Sequence, residues 1–279
     1  MPVENALTID VEDWYHVCGV EECLPEKNWP RLRSRVVENT RKILALLSLV
    51  KVKATFFVLG FIAERHPGLI EEIAGAGHEV ASHGYSHRRV YSLSQDLFLQ
   101  DLRRTTEILS RITGKAVRGY RAPEWSIRAD SLWALDLLQS EGYEYDSSRA
   151  PLLVIGDQKT PRVPHRLDVE GGCLWEFPPL VGKTPLVNLP LGGGWGLRVF
   201  PYSWVRAAVR QLNERGQPAV LFFHPREFDA AGPRINLPWP RGFTLYARLE
   251  RTGPRLNQLL REFRFTTLSA VLETFRERP

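Results

Sequence analysis

The chain has 279 residues, a length that fits one or two domains or a single α/β barrel. Hydrophobic residues make up 43% of the chain and charged residues 25%, a composition that excludes a disordered protein. The net charge of +5 is spread along the sequence without a basic block, so we expect no nucleic-acid partner.

The cysteines and the N-terminal stretch bear on the cellular compartment. Cys18, Cys23 and Cys173 form an odd set without C-x-x-C spacing, which indicates neither a disulfide framework nor a thiolate zinc site. The stretch MPVENALTIDVEDW lacks the basic and apolar regions of a secretory signal, and no apolar run is long enough to span a membrane. We therefore expect a cytoplasmic protein without an integral membrane segment.

Short apolar runs alternate with amphipathic helical patterns along most of the chain. Strands are predicted at Ala6–Asp10, Val52–Leu59, Glu79–Ser82, Val117–Arg121, Tyr143–Asp146, Ala219–His224 and Phe265–Leu268. Helices are predicted at Val36–Val50, Gly68–Ala76, Ser92–Ile112, Ala129–Glu141, Tyr202–Arg215 and Tyr246–Phe263, with a last helix from Ser269. Such alternation is typical of an α/β fold with a parallel sheet, open or closed.

Two helix starts are predicted from capping residues, and one region departs from the alternation. Ser92 and Gln95 form a capping-box pattern, and Ser126 is placed to cap the helix that follows it. Residues 150–200 are rich in Pro and Gly and contain only short strand candidates such as Cys173–Phe177. We expect an ordered insertion of loops and short antiparallel strands there.

Ionisable residues follow five of the predicted strands at the point where each strand ends. They are Asp10, Glu12 and Asp13 after the first strand, His83 and His87 after the third, Arg121 and Glu124 after the fourth, Asp146 after the fifth and His224 after the sixth. Active sites of parallel α/β proteins form at the carboxyl ends of the strands, so we expect one site to contain these groups.

The residue types in this set suit metal-assisted hydrolysis. His83 and His87, four residues apart, would bind a divalent ion together with a carboxylate and leave coordination positions open. A second carboxylate of the acidic cluster would accept a proton from water, and Arg121 would hold this base ionised. His224 would protonate a leaving amine, and a buried carboxylate such as Asp146 would favour its protonated form.

Five motifs in order, LTIDVEDW, SHGYSH, YRAPEW, YEYDSS and FFHPRE, make the chain similar to the polysaccharide deacetylase family (NodB homology, carbohydrate esterase 4). More narrowly, it resembles deacetylases encoded with exosortase-type exopolysaccharide loci, whose C-terminal extension is similar to LYARLERTGPRLNQLLREFRF. The resemblance implies a distorted (β/α)7-type barrel in one domain, residues 1–279, with the insertion at about 150–200 and the extension at about 225–279.

The resemblance also implies roles for single residues. It implies Asp10 as catalytic base, Arg121 as the arginine that tethers it, His224 as catalytic acid, Asp146 as the carboxylate that tunes the acid, and His83 and His87 as metal ligands. Pro123, Glu124 and Trp125 would contact substrate, with a backbone amide near Glu124 helping to stabilise the oxyanion.

The first motif departs from the family pattern, in which two aspartates are adjacent. Val11 follows Asp10 here, so the carboxylate ligand must be Glu12 or Asp13. Alternation along a strand puts Asp10 and Glu12 on one face, which favours Glu12, whereas Asp13 reaches equally well if the strand has already ended. The departure also resembles an offshoot acting on ureides or cyclic imides, some of whose members work without metal.

These expectations combine into one leading function and two alternatives. The leading one is a hydrolase that removes N-acetyl groups from N-acetylhexosamines of a bacterial exopolysaccharide or its precursor, using Zn²⁺, with Co²⁺ or Ni²⁺ as alternatives. Its partner would be an N-acetylated oligosaccharide or polysaccharide. The alternatives are a ureide or cyclic-imide amidohydrolase on the same fold and a catalytically silent carbohydrate-binding protein.

Overall fold

The structure of the protein is a computed structural model that describes residues 2–153 and 155–277. Its strands are β1 Asn5–Val11, β2 Thr55–Val58, β3 Glu79–Ser82, β4 Gly119–Tyr120, β5 Tyr145–Asp146, β6 His165–Val169, β7 Gly172–Glu176, β8 Gly182–Lys183, β9 Asn188–Leu189, β10 Val220–Phe223 and β11 Phe265–Thr266.

The α-helices lie between these strands and after the last one. They are α1 Val36–Val50, α2 Gly60–Arg65, α3 Pro67–Gly75, α4 Gln95–Thr113, α5 Trp133–Ser140, α6 Gly194–Val199, α7 Tyr202–Glu214, α8 Trp239–Tyr246, α9 Thr252–Glu262 and α10 Leu268–Arg276. Within the described ranges, none of these helices combines the length and apolar character needed to cross a bilayer.

The main sheet has the order β10-β1-β2-β3-β4-β5-β7-β6, and β11 pairs with β1. The pairings are parallel except for the antiparallel β6–β7 hairpin. All seven residues of β1 are buried, as expected for a central strand covered on both faces. The predicted α/β architecture is confirmed.

The segment after β7 joins the two ends of the parallel strands. Phe177 N donates to Asp146 O at 2.9 Å, and Leu180 N donates to Val220 O at the same distance, so the segment links β5 to β10. Farther along, Phe222 N donates to Gly192 O at 2.9 Å. Together with the β6–β7 and β8–β9 hairpins, this gives a distorted (β/α) barrel with a loop-rich insertion, as predicted.

Alternation along β1 separates the core from the interior of the barrel. Leu7 and Ile9 face the surrounding helices, whereas Ala6 belongs to an inner cluster that also contains Phe57 and Val220. Three residues of α10 pack on this inner cluster: Leu268, Val271 and Leu272. The inward positions near the other end of β1 are therefore the ones that carry polar side chains.

Three details of the helix predictions are wrong. Helix α4 begins after Ser94, whose side chain accepts a hydrogen bond from Leu97 N, while the Ser92 hydroxyl donates to Arg89 O. Ser126 accepts from Val90 N instead of capping a helix.

The third detail is the long C-terminal helix predicted from Tyr246 to Phe263. The chain leaves α8 after Tyr246 and takes a left-handed conformation at Arg248, with φ of 54°, before α9 begins at Thr252. A left-handed residue cannot continue a right-handed helix, so the α-helix within the predicted segment begins only with α9.

Candidate active site

Asp10 and Arg121 form a buried ion pair inside the barrel. Asp10 Oδ1 accepts a hydrogen bond from Arg121 Nη1 at 2.7 Å, and both residues are at most 2% exposed. The guanidinium also donates to Thr8 Oγ1 at 2.7 Å and to Ser147 Oγ at 2.8 Å, and it lies over the ring of Phe57. Because Arg121 is held on several sides, it fixes the orientation of the Asp10 carboxylate.

Glu12 and two histidines meet beside this pair. Glu12 Oε1 lies 3.0 Å from His83 Nε2 and 2.8 Å from His87 Nε2. The other ring nitrogen of His83 lies 2.7 Å from Arg121 O, and that of His87 lies 3.3 Å from Cys18 Sγ. Each imidazole thus has a partner at Nδ1 and directs Nε2 towards Glu12.

The loop after β3 brings the two histidines together. Gly84 and His87 have positive φ angles of 74° and 56°, and Tyr85 N donates to Asp101 Oδ1 at 2.8 Å. Left-handed backbone at a non-glycine residue costs about 1–3 kcal/mol and is found preferentially at functional sites. Here it turns His87 back towards His83.

The donor set fits a divalent metal ion. The ligand-type atoms of Glu12, His83 and His87 lie within 4.8 Å of one another. Two imidazole nitrogens and one carboxylate oxygen, with the second histidine nitrogens already engaged, are the arrangement of hydrolytic zinc sites. Burial would raise the pKa of Glu12, but His87, Arg226 and other nearby positive groups hold it well below its usual range. The carboxylate is therefore ionised, as a ligand must be.

Asp13 points elsewhere. Its carboxylate oxygens accept hydrogen bonds from Arg35 N at 3.1 Å and from Trp14 N at 2.9 Å, at the start of α1. Of the two carboxylates between which the sequence left the choice open, the structure brings Glu12 to the histidines.

His224 completes the group at the end of β10. Its Nε2 lies 3.8 Å from Asp10 Oδ2 and 3.8 Å from Glu12 Oε1, and its side chain is 15% exposed. On its other side, Nδ1 lies 3.4 Å from Glu227 Oε2, and the same oxygen accepts from the His224 amide at 3.0 Å. Burial would raise the pKa of Glu227, but Arg198 and His224 lower it to about 2.

Asp146 does not have the contact expected of it. It is fully buried and accepts a hydrogen bond from the Ser148 hydroxyl, and its register partner across β5 and β7 is Glu176. Burial raises the pKa of Asp146 to about 6, and burial and Asp146 raise that of Glu176. The expectation that Asp146 tunes His224 is corrected, because the carboxylate beside that imidazole is Glu227.

Pro123, Glu124 and Trp125 form a short 3₁₀ turn at the rim. Glu124 and Trp125 have φ angles of 50° and 49°, and the Trp125 ring packs edge-on against Phe222 with centroids 4.4 Å apart. The Glu124 carboxylate pairs with Arg89 at 2.6 Å and with Arg241 of α8 at 3.4 Å. Contact of this turn with substrate stays a prediction.

Sequence reasoning assigned no role to several residues around the site. Arg226, which donates a hydrogen bond to Glu12 Oε2, and Glu227 both lie in the FFHPRE motif, so their place after a strand end was an available signal. Arg198 and Glu176 come from the loop-rich insertion, where no local pattern marks them.

The barrel carries a candidate divalent-metal centre at the carboxyl ends of its strands, and two family models match parts of the chain. A family model described as polysaccharide deacetylase matches residues 29–145, and one described as a domain of unknown function, DUF3473, matches residues 147–273. Residues 29–145 are therefore similar to the polysaccharide deacetylase family, and residues 147–273 are similar to a domain of unknown function.

Individual relatives agree with the family. A peptidoglycan-N-acetylglucosamine deacetylase of Bacillus cereus is 39% identical over 101 residues, which are 36% of this chain and 37% of that protein. A peptidoglycan deacetylase of Helicobacter pylori is 30% identical over 167 residues, 57% of this chain and 54% of that protein. The chain thus spans about half or less of the length of these curated relatives.

A solved structure supports the fold over nearly the whole chain. A Mycobacterium smegmatis protein provisionally assigned as a polysaccharide deacetylase superposes with a TM-score of 0.69 at 22% identity, covering 99% of this chain and 91% of the other. At this identity the likeness shows the barrel fold alone.

Proposed function

We propose that the protein removes acetyl groups from N-acetylated hexosamine residues of a saccharide. The observation that carries this proposal is the convergence of Asp10, the Glu12–His83–His87 group and His224 at one end of the barrel. Amide hydrolysis needs a base, an electrophile and an acid within reach of one acyl group, and these residues can supply all three. The similarity to the Bacillus cereus peptidoglycan-N-acetylglucosamine deacetylase supports the same chemistry.

Asp10 and His224 divide the proton transfers between them. Asp10 Oδ1 accepts a hydrogen bond from Arg121, whereas Oδ2 faces His224. Oδ2 is therefore the oxygen that accepts a proton from the attacking water. The water oxygen bonds to the acetyl carbon, the C–N bond breaks with its electron pair moving to nitrogen, and His224 Nε2 gives that nitrogen a proton. The products are a free amine and acetic acid, which ionises to acetate and a proton, and proton transfer from Asp10 to His224 restores both groups.

Glu12, His83 and His87 would hold the divalent ion, for which we propose Zn²⁺, with Co²⁺ or Ni²⁺ as alternatives. When bound, such an ion lowers the pKa of water and polarises an acyl oxygen. The contacts of His83 Nδ1 with Arg121 O and of His87 Nδ1 with Cys18 keep the Nε2 lone pairs available for it.

For the natural substrate we propose a bacterial exopolysaccharide or its precursor. The resemblance of the C-terminal stretch to deacetylases of exopolysaccharide loci supports this choice. Trp125 lies at the rim and packs against Phe222, whose ring also contacts His224. Its aromatic side chain suits stacking on a sugar ring.

Acetate release from N-acetylglucosamine oligomers tests the proposal. Protein stripped with a chelator and reloaded with Zn²⁺, Co²⁺ or Ni²⁺ is expected to release acetate in proportion to bound metal. Asp10→Asn is expected to lower the rate by at least about 100-fold, because the base is lost. Asp130→Asn, at a carboxylate that is 62% exposed, serves as the matched control and should leave the rate unchanged.

Two results would contradict the proposal. Undiminished acetate release by Asp10→Asn would remove the base from the mechanism. Turnover of a cyclic ureide such as hydantoin, without turnover of any acetylated sugar, would favour the amidohydrolase alternative.

A further inference from the structure

We infer that residues 147–273, which match the domain of unknown function DUF3473, complete the catalytic centre. Within this region, Glu227 and Arg198 act as positioning residues for His224. Because His224 is the acid of the reaction proposed above, this inference rests on the proposed function. Its support is geometric and comes from three separate contacts of the Glu227 carboxylate.

The first contact is with His224 itself. Glu227 Oε2 accepts from the His224 backbone amide at 3.0 Å and lies 3.4 Å from Nδ1 of the ring. A carboxylate that accepts the Nδ1 proton fixes both the tautomer and the rotation of an imidazole. Nε2 is then the nitrogen left to face Asp10 Oδ2, 3.8 Å away.

The second contact is with Arg198 of α6. Its Nη1 donates to Glu227 Oε1, and both side chains are buried. The same guanidinium donates to the carbonyls of Thr244, Leu245 and Ala247 at 2.6, 3.0 and 2.7 Å, at the end of α8. Arg198 thereby joins the carboxylate to the helix that carries Arg241 to the rim.

The third contact involves Gly194, the last residue of the glycine run Gly192–Gly194. A Cβ added to Gly194, the first residue of α6, would overlap the Glu227 carboxyl group. Glycine at this position therefore leaves the space that the carboxylate occupies. Gly194 and Arg198 lie in one short helix, so the helix provides both the space and the positive charge.

These contacts give the region from 147 to 273 a catalytic purpose. His224, Glu227, Arg198 and Gly194 all lie in it, whereas Asp10 and the metal-ligand candidates lie before it. The carboxylate that contacts the His224 ring is Glu227, three positions later in the chain, and not Asp146.

The test compares two acetyl substrates that differ in their need for an acid. An N-acetylglucosamine oligomer releases an amine, which must be protonated, whereas an aryl ester such as 4-nitrophenyl acetate releases a phenolate, which need not be. Glu227→Gln is expected to lower kcat on the oligomer by about 100-fold with little change in KM, and to leave ester hydrolysis within about threefold.

Gly194→Ala is the second variant, for the case that Glu227→Gln does not fold. In this variant Glu227 is still present as a charged partner for Arg198, but the added Cβ displaces its carboxylate. The variant is therefore expected to reproduce the selective loss of amide turnover. Gly68→Ala is its control, because a Cβ there meets nothing within 4 Å.

Equal losses on both substrates, or no loss on either, would overturn the inference. If wild-type protein releases no acetate from any N-acetyl sugar, the proposed function fails, and ¹⁵N NMR of the His224 ring then decides the inference separately. A protonated Nδ1 that becomes a mixture of tautomers in Gly194→Ala would support it, and an unchanged ring spectrum would overturn it.

Discussion

At the scale of single residues, the neighbours Glu12 and Asp13 have different tasks because they leave the end of β1 on different sides. Glu12 faces the histidines, and Asp13 binds backbone amides at the start of α1. We predict that Glu12→Gln weakens Zn²⁺ binding by more than about 100-fold, because an ionised ligand is lost.

Asp13→Asn is the matched comparison. It is expected to keep Zn²⁺ affinity and to lower stability by about 1–2 kcal/mol, since the amides of Arg35 and Trp14 lose a charged acceptor. Calorimetric titration with Zn²⁺ and thermal unfolding of both variants measure the two effects. Loss of metal binding in Asp13→Asn comparable to that in Glu12→Gln would contradict the assignment.

The structure brings together the residues whose positions are decided by strand ends alone. Asp10 lies near the end of a parallel strand, and each of the other four follows one: His83, His87, Arg121 and His224. The common direction of the strands brings these residues together. The partners of these residues could not be predicted in the same way. Which carboxylate reaches the His224 ring depends on how a 3₁₀ turn and a distant helix pack, and no periodicity encodes that.

At the scale of elements, β5 and β7 hold the buried pair Asp146 and Glu176. Both side chains are fully buried and their pKa values are raised, that of Asp146 from 3.8 to about 6. A carboxyl whose pKa is higher in the folded than in the unfolded chain stabilises the fold below the unfolded pKa, and this stability is lost as pH rises through the folded pKa. For Asp146 the stability is lost as pH rises from about 4 to about 6.

Glu176→Gln is expected to reduce this loss. The Gln amide can donate to the Asp146 carboxylate, so ionisation of Asp146 no longer leaves two acids in contact. Urea unfolding from pH 4 to pH 8 should show the variant gaining stability relative to wild type as pH rises. Exposed Glu170→Gln should follow wild type at every pH. If the difference in unfolding free energy between wild type and Glu176→Gln stays constant with pH, the electrostatic coupling of Asp146 and Glu176 is refuted.

Element types were more predictable than element boundaries. The apolar period fixes the faces of α4 and α9, but the start of α4 depends on which of two nearby serines accepts an amide hydrogen bond. Ser94 does so because Ser92 is already engaged in a preceding 3₁₀ turn. Local hydrogen-bond competition of this kind is decided by the folded backbone.

At the scale of the whole molecule, the two family models meet near residue 146, but the main sheet is continuous across that boundary. The first model ends at residue 145 and the second begins at 147. Yet β1 pairs with β10 along Ala6–Ile9 and with β11 at Asn5 and Ala6, and α10 packs on the inner cluster. The first part of the chain therefore depends on the second for the pairing partners on one side of its central strand.

We predict that a chain truncated after Asp146 does not fold cooperatively, whereas residues 1–279 unfold in a single transition. Truncation exposes the edge of β1 and removes Leu268, Val271 and Leu272 from the barrel interior, so the remaining apolar surface cannot be buried. Urea unfolding followed by tryptophan fluorescence and circular dichroism measures this, and adding residues 147–279 in trans should restore cooperativity. A sharp transition in the truncated chain alone would show two independent domains, and the active site would then lie at their interface.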